Sequence, residues 1–206
     1  MASQIKVNEI IKQSGSSISI GESGDTISLT GNTINLGTTG NTVNIAGSAY
    51  AAAGTNTPMF SATMSSNQSV SNGTSTLIAY DTEQVDTDSA YTNTSSNYKF
   101  TVPSGKSGKY YIYAFVLLDA MTNANFINGN INIRKNGSAV LNAEISVRNT
   151  RTKYHTGNVY GIFDLSVGDY IQIYGSVDSD NGTVRLQGAG GYSHFGGYKL
   201  IEWAVK

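Results

Sequence analysis

Residues 110–118 read YYIYAFVLL. No other run in the chain is so apolar, and it holds no proline, glycine or charge. Its aromatic and β-branched content favours a strand over a helix. It is also far shorter than the roughly 20 apolar residues needed to cross a bilayer. Apolar side chains on both parities predict a central strand buried on both faces.

Segments of the same texture surround it. Toward the N-terminus lie PMFSATMS (58–65), STLIAYDTE (75–83) and YKFTVP (98–103), the second overlapping an acidic loop, DTEQVDTDSA (81–90). Toward the C-terminus, INGNINIRKNGSAVLNAEISV (127–147) alternates Ile131 and Ile133 with polar residues. It then turns at Asn136-Gly137, the strongest short hairpin signal. NVYGIFDLSVGDYIQIYGSV (158–177) gives two strands around Val167-Gly168-Asp169, and GTVRLQGAG and GYKLIEWAV close the chain. Nine or ten strands at this spacing predict a β-sandwich or jelly roll over residues 58–206.

Composition agrees. Of 206 residues, 13% are charged, about half the usual quarter, and Ser, Thr, Asn and Gly fill the gap. There are 13 tyrosines, 23 glycines and 2 prolines. The absence of cysteine excludes disulfides and thiolate metal sites. The net charge of −1 leaves no strongly basic face for nucleic acid. No stretch is long and apolar enough for membrane insertion. The opening MASQIKVNEIIKQSGSS lacks the apolar centre of a secretion signal, so the expectation is a soluble protein that reaches the outside only within a larger assembly.

The N-terminal quarter is an internal repeat. SISIGESGDTISLTGN (17–32) aligns without gaps on TINLGTTGNTVNIAGS (33–48), a period of 16 split into two short strands and two turns. Ile18, Ile20, Ile27 and Leu29 in the first copy match Ile34, Leu36, Val43 and Ile45 in the second. Within each triplet the apolar residues are two apart and share a face. Burying eight such side chains cannot offset the cost of ordering 32 residues, so a lone copy should not fold. Copies around a symmetry axis supply the missing core. The expected organisation is an anchoring segment (1–16), a short intertwined trimeric β-repeat stalk (17–48), a small-residue linker (49–57) and the head (58–206).

The head resembles a C1q-like domain of the C1q and tumour necrosis factor superfamily. PMFSATMS is similar to that family's P-x-F-S-A opening. NYKFTVPSGKSGKYYIYAFV is similar to its F-T-x-P…G-x-Y-Y-x-F core, with one extra residue before Gly108. IRKNGSAV is similar to its N-G hairpin, and DLSVGDYIQI with SHFGGYKL to its ending. The resemblance implies a ten-stranded jelly roll that trimerises through an apolar, aromatic inner sheet and has no enzymatic role. Tyr111, Tyr113, Phe195 and Tyr198 are then candidates for the head interface. The β-repeat stands where animal relatives carry a collagen stem, and this layout is similar to bacteriophage fibre or capsid decoration proteins.

The chemistry of catalysis is thin. Of the two histidines, His155 lies in a basic stretch, and His194 reads as a partly buried residue beside a subunit interface. There is no G-x-S-x-G elbow. Asp81, Glu83, Asp86 and Asp88 crowd one loop and Asp178 and Asp180 another, without an EF-hand pattern, so no metal or other cofactor is assigned. Candidates for ligand-binding loops are Tyr91, Arg148, Arg151, Tyr154, Asp178 and Asp180. The resulting expectation is a non-enzymatic homotrimer of a virion. It attaches to a phage capsid or tail protein through its N-terminus and displays a head for a host glycan or protein. A non-viral trimeric binding module and a polysaccharide-degrading tailspike are the alternatives.

Overall fold

The computed structural model describes residues 56–94, 96–121, 125–147 and 152–201, all within the second of two units, Ala52–Lys206. The repeat residues Ile18, Ile20, Ile27, Leu29, Ile34, Leu36, Val43 and Ile45 lie outside the described residues, as do Arg148 and Arg151.

Thirteen strands and no helix occur among the described residues. They are β1 (Met59–Thr63), β2 (Gln68–Ser71), β3 (Thr76–Leu77), β4 (Thr82–Asp86), β5 (Tyr91–Thr94), β6 (Asn97–Thr101) and β7 (Gly108–Asp119). There follow β8 (Phe126–Lys135), β9 (Ser138–Ser146), β10 (Tyr154–Leu165), β11 (Tyr170–Ser179), β12 (Thr183–Gln187) and β13 (Ser193–Lys199). All pairings are antiparallel, in two sheets. One sheet runs β4-β1-β13-β7-β10, and β12 continues the β13 side of β7 and carries β2. The other runs β5-β6-β11-β8-β9, and β3 continues the β6 side of β11.

Number the eight principal strands β1, β6, β7, β8, β9, β10, β11 and β13 in chain order. The sheets then read 1-8-3-6 and 2-7-4-5, which is the strand order of a jelly roll. With β4 and β5 the two sheets hold ten strands, as the resemblance implies; β2, β3 and β12 are short additions.

Period-2 alternation explains the core. On β7, Tyr110, Ile112, Ala114, Val116 and Leu118 are buried between the sheets, and Tyr111, Tyr113, Phe115 and Leu117 point the other way. Within one chain this strand is therefore buried on one face, not two. Ile131 and Ile133 of β8 and Ile171, Ile173 and Val177 of β11 close the core from the opposite sheet. At its centre the Phe60 ring stacks on Phe100 at 4.5 Å and meets Phe195 edge-on at 4.9 Å.

Three turn features hold the strands in register. Asn136 and Gly137 adopt positive φ (52° and 83°), the geometry of a two-residue hairpin between β8 and β9. The Asn136 side chain reaches the neighbouring β10–β11 turn. Its Nδ2 donates to Asp169 Oδ1 (2.7 Å), and its Oδ1 accepts from the Tyr170 N–H (2.9 Å). At the far end of β7, the fully buried Asp119 accepts from Arg185 Nε (2.6 Å) and from the Met121 N–H (2.7 Å).

The expected acidic loop is partly a strand. Residues 82–86 form edge strand β4, and Asp86 ends it by accepting N–H bonds from Asp88, Ala90 and Tyr91.

Candidate functional site

The outer face of the seven-stranded sheet, turned away from the core, collects the most unusual surface of the head. Register aligns its outward side chains into rows across the strands. One row runs Met59–Tyr198–Tyr111–Ile162, from β1 through β13 and β7 to β10. The next runs Val85–Ser61–Gly196–Tyr113–Tyr160, and a third holds His194, Phe115 and Asn158. Tyr111 lies 6.0 Å from Tyr113 and 5.7 Å from Tyr198, ring centre to ring centre. Tyr160 and Ile162 are each 62% exposed although they stand mid-strand beside these rings. An aliphatic and aromatic field of this kind, on a regular sheet, is the surface a protein partner covers.

Gly196 shapes the field. A Cβ there would lie 2.5 Å from the Tyr113 hydroxyl and 3.0 Å from the Phe60 carbonyl, so the missing side chain lets the Tyr113 ring lie across β13. Burial, then the neighbouring Tyr111 and Tyr198 phenols, raise the Tyr113 pKa.

His194 sits in the same face. Its Nε2 is 2.6 Å from Ser61 Oγ, and its ring meets Tyr113 and Phe115 edge-on at 5.4 and 5.9 Å. Burial lowers its pKa, which favours the neutral ring. The surroundings of a hydrolase dyad are not gathered at this pair among the described residues. Ser61 is mid-strand rather than on a strained turn. No carboxylate bonds the imidazole among the described residues. His155 points into the sandwich beside Phe126, and its Nε2 has no hydrogen-bond partner among the described residues.

Of the four interface candidates, Tyr111, Tyr113 and Tyr198 share this face. Phe195 does not. It is 0% exposed in the core, because a strand puts 195 and 198 on opposite faces.

Of the ligand-loop candidates, Tyr91, Tyr154, Asp178 and Asp180 are described. Tyr91 is 7% exposed, and its hydroxyl donates to the Tyr80 carbonyl (2.8 Å). Burial and nearby acids push its pKa up, so it is a core residue. Tyr154 is exposed at the start of β10, under the Lys153 ammonium at 4.6 Å. Asp178 accepts from Asn72 and Asn128, and Asp180 from Asn125. These acids tie loops together. No group of three or more histidine and carboxylate side chains suited to a metal ion occurs among the described residues.

Sequence reasoning missed Tyr160, Ile162 and Met59. The alternation in NVYGIFDL carried the signal, since Val159 and Leu165 are on the inward parity and Tyr160 and Ile162 on the other.

No family model matches the chain, and no curated protein matches it. Solved structures similar to it include the globular domain of zebrafish complement 1qA protein, at 12% identity and TM-score 0.48, covering 71% of this chain and 99% of that one. Murine APRIL is similar at 15% identity and TM-score 0.49, covering 69% and 98%. The assignment of the head as a jelly roll rests on its own strand order.

Proposed function

We propose that the head is a non-enzymatic module that assembles as a homotrimer through the outer face of the seven-stranded sheet. The observation that carries this is the row structure of that face, with Tyr160 and Ile162 exposed beside Tyr113 and Tyr111. The expected stalk supports three copies independently of the head. A 16-residue repeat too thin to make its own core needs symmetry partners.

The wider role is that of a bacteriophage fibre or capsid decoration protein. Residues 1–16 anchor to a capsid or tail protein, and the head serves host attachment or particle stabilisation. The support for this part is the order of anchor, β-repeat, linker and jelly roll along the chain.

Light scattering of the full chain at micromolar concentration tests the assembly: the expected mass is three times 21.8 kDa, and a monomer overturns it. Immunogold imaging of purified particles with an antibody to residues 58–206 tests the location. Label on the particle surface is expected, and its absence from every particle overturns the virion role.

A further inference from the structure

On the other side of the sandwich, a shallow groove of about 570 Å³ opens at a break in the six-stranded sheet. On one side of β11, strand β6 pairs only at Tyr170 and Ile171 and β3 only at Tyr174 and Gly175. The groove is lined by Ser75, Thr76, Leu77, Tyr98 and Tyr174, among others, and its shape is fixed by Gln68. The Gln68 amide donates to the Leu77 carbonyl (2.9 Å) and accepts from the Ala79 N–H (2.9 Å). Its volume falls in the ligand-sized range. No lining residue is acidic.

At its rim stands Arg134. Its guanidinium lies 3.9 Å from the centre of the Tyr174 ring, donates from Nε to Asn132 Oδ1 (3.1 Å) and from an Nη to Ser75 Oγ (3.1 Å). No carboxylate pairs with it among the described residues, unlike Arg185, Lys106, Lys109 and Lys135. The side chain is therefore held in place with donors to spare, because neutral partners fix it and a guanidinium carries five N–H groups. Four residues along the same outward face of β11, the Lys99 ammonium lies 4.8 Å from the Tyr170 ring centre. Of the acids on this side, Asp169 beside Tyr170 is paired with Lys135 and Asn136, Asp178 accepts from Asn72 and Asn128, and Glu144 stands two strands away in the Ser176–Asn130 row.

We infer that this groove binds an anionic saccharide, with Tyr174 and Tyr98 offering ring surface, Ser75 and Thr76 meeting hydroxyls, and Arg134 taking a carboxylate or sulfate. A glycan fits better than an acidic peptide. The lining is hydroxyl, amide and phenol rather than a row of apolar pockets, and β11 has neighbours on both sides, so no strand can be added there. Two cations are too few for nucleic acid. The site lies within one subunit, so it does not rest on the proposed assembly.

Calorimetry on the full chain tests it with a galacturonate hexasaccharide, a chondroitin sulfate hexasaccharide, neutral maltohexaose and hexaglutamate. One or both acidic saccharides should bind, at least about tenfold more tightly than maltohexaose and hexaglutamate. R134Q should lose about tenfold, R134K should lose less because it keeps charge without the planar stack, and K153Q, at another Lys–Tyr pair, should bind as wild type. Unchanged light-scattering mass in each variant separates this result from loss of assembly. The inference is overturned by no binding, by maltohexaose or hexaglutamate binding equally well, or by equal losses in R134Q and K153Q.

Discussion

Outward from β7, β10 and β13 stand Tyr111, Tyr113, Tyr160, Ile162 and Tyr198; outward from β8 and β11 stand Asn128, Asn130, Gln172, Tyr174 and Asp178. Both sheets alternate with the same period, and their inward halves are interchangeable in kind: Ile, Val, Leu and Phe in one core. The outward halves differ. One face is a field of rings and aliphatic groups whose polar tips can stay wet while their bodies are covered. The other is a bonded chain of amides, with Asn132 donating to Asn130 (2.7 Å) and accepting from Arg134. The inward residues set the fold, and under the proposed function the outward residues give one sheet to contact between copies and the other to display.

The sharpest way to break that division is charge. In the isolated head, residues 58–206, where no stalk can hold the copies together, Tyr160→Asp with Ile162→Asp should reduce the light-scattering mass at micromolar concentration from three chains to one. Each uncompensated charge in a covered face costs about 3–5 kcal/mol, while in the separate head these positions remain wet. Asn130→Asp on the other sheet should leave the mass unchanged; if it also dissociates the protein, the two faces are not distinct.

A smaller effect separates the core from either face. Asp119→Ala leaves Arg185 and the Met121 N–H without their acceptor and should cost the head about 2–3 kcal/mol in urea unfolding. A loss below about 0.5 kcal/mol, the range of ordinary surface changes, would show that this end of β7 is held by something else.

Gly196→Ala probes the contact face from beneath. The new Cβ forces the Tyr113 ring to move, at about 1–2 kcal/mol, and should weaken assembly more than it lowers unfolding of the isolated head. Equal assembly would place Tyr113 outside the contact.

The smallest effect is one of pH. Hydrogen bonds from Lys135 and Asn136 and from the Ser166 N–H lower the Asp169 carboxyl from 3.8 to about 2. A folded-state value below the unfolded one contributes stability above about pH 4 that is lost as pH falls toward 2. Asp169→Asn should flatten that part of the acid unfolding curve. An unchanged curve would show that the β10–β11 turn takes no part in acid stability.

The sequence exposes what repeats locally. Asn136-Gly137 is legible because a two-residue hairpin demands positive φ at both positions. Strand β7 is legible because its apolar run has one interpretation in a chain poor in helix formers. What escapes are features set by partners distant in sequence. Strand β4 reads as a loop because Glu83, Gln84 and Val85 stay exposed at the sheet edge, and only pairing with β1 defines it. Phe195 and Tyr198 look equivalent until parity is fixed by the register of β13 on β7. The groove needs Gln68, Ser75, Arg134 and Tyr174 from four separate elements or turns, so no local motif announces it.

The hairpin at Asn136-Gly137 also governs how the protein ages. A glycine after asparagine leaves the side-chain amide open to attack by the next backbone nitrogen, the route by which asparagine deamidates and becomes a thermolabile residue. Here both ends of that amide are engaged, by Asp169 and by the Tyr170 N–H. Deamidation would turn the donor facing Asp169 into a second carboxylate and set two like charges against each other in the turn. Peptide mapping after prolonged warming should therefore find Asn136 converting more slowly in the folded head than in an unfolded peptide of the same sequence, and equal rates would deny the protection. A pair of hydrogen bonds that fixes register between two turns thus also serves as a chemical preservative.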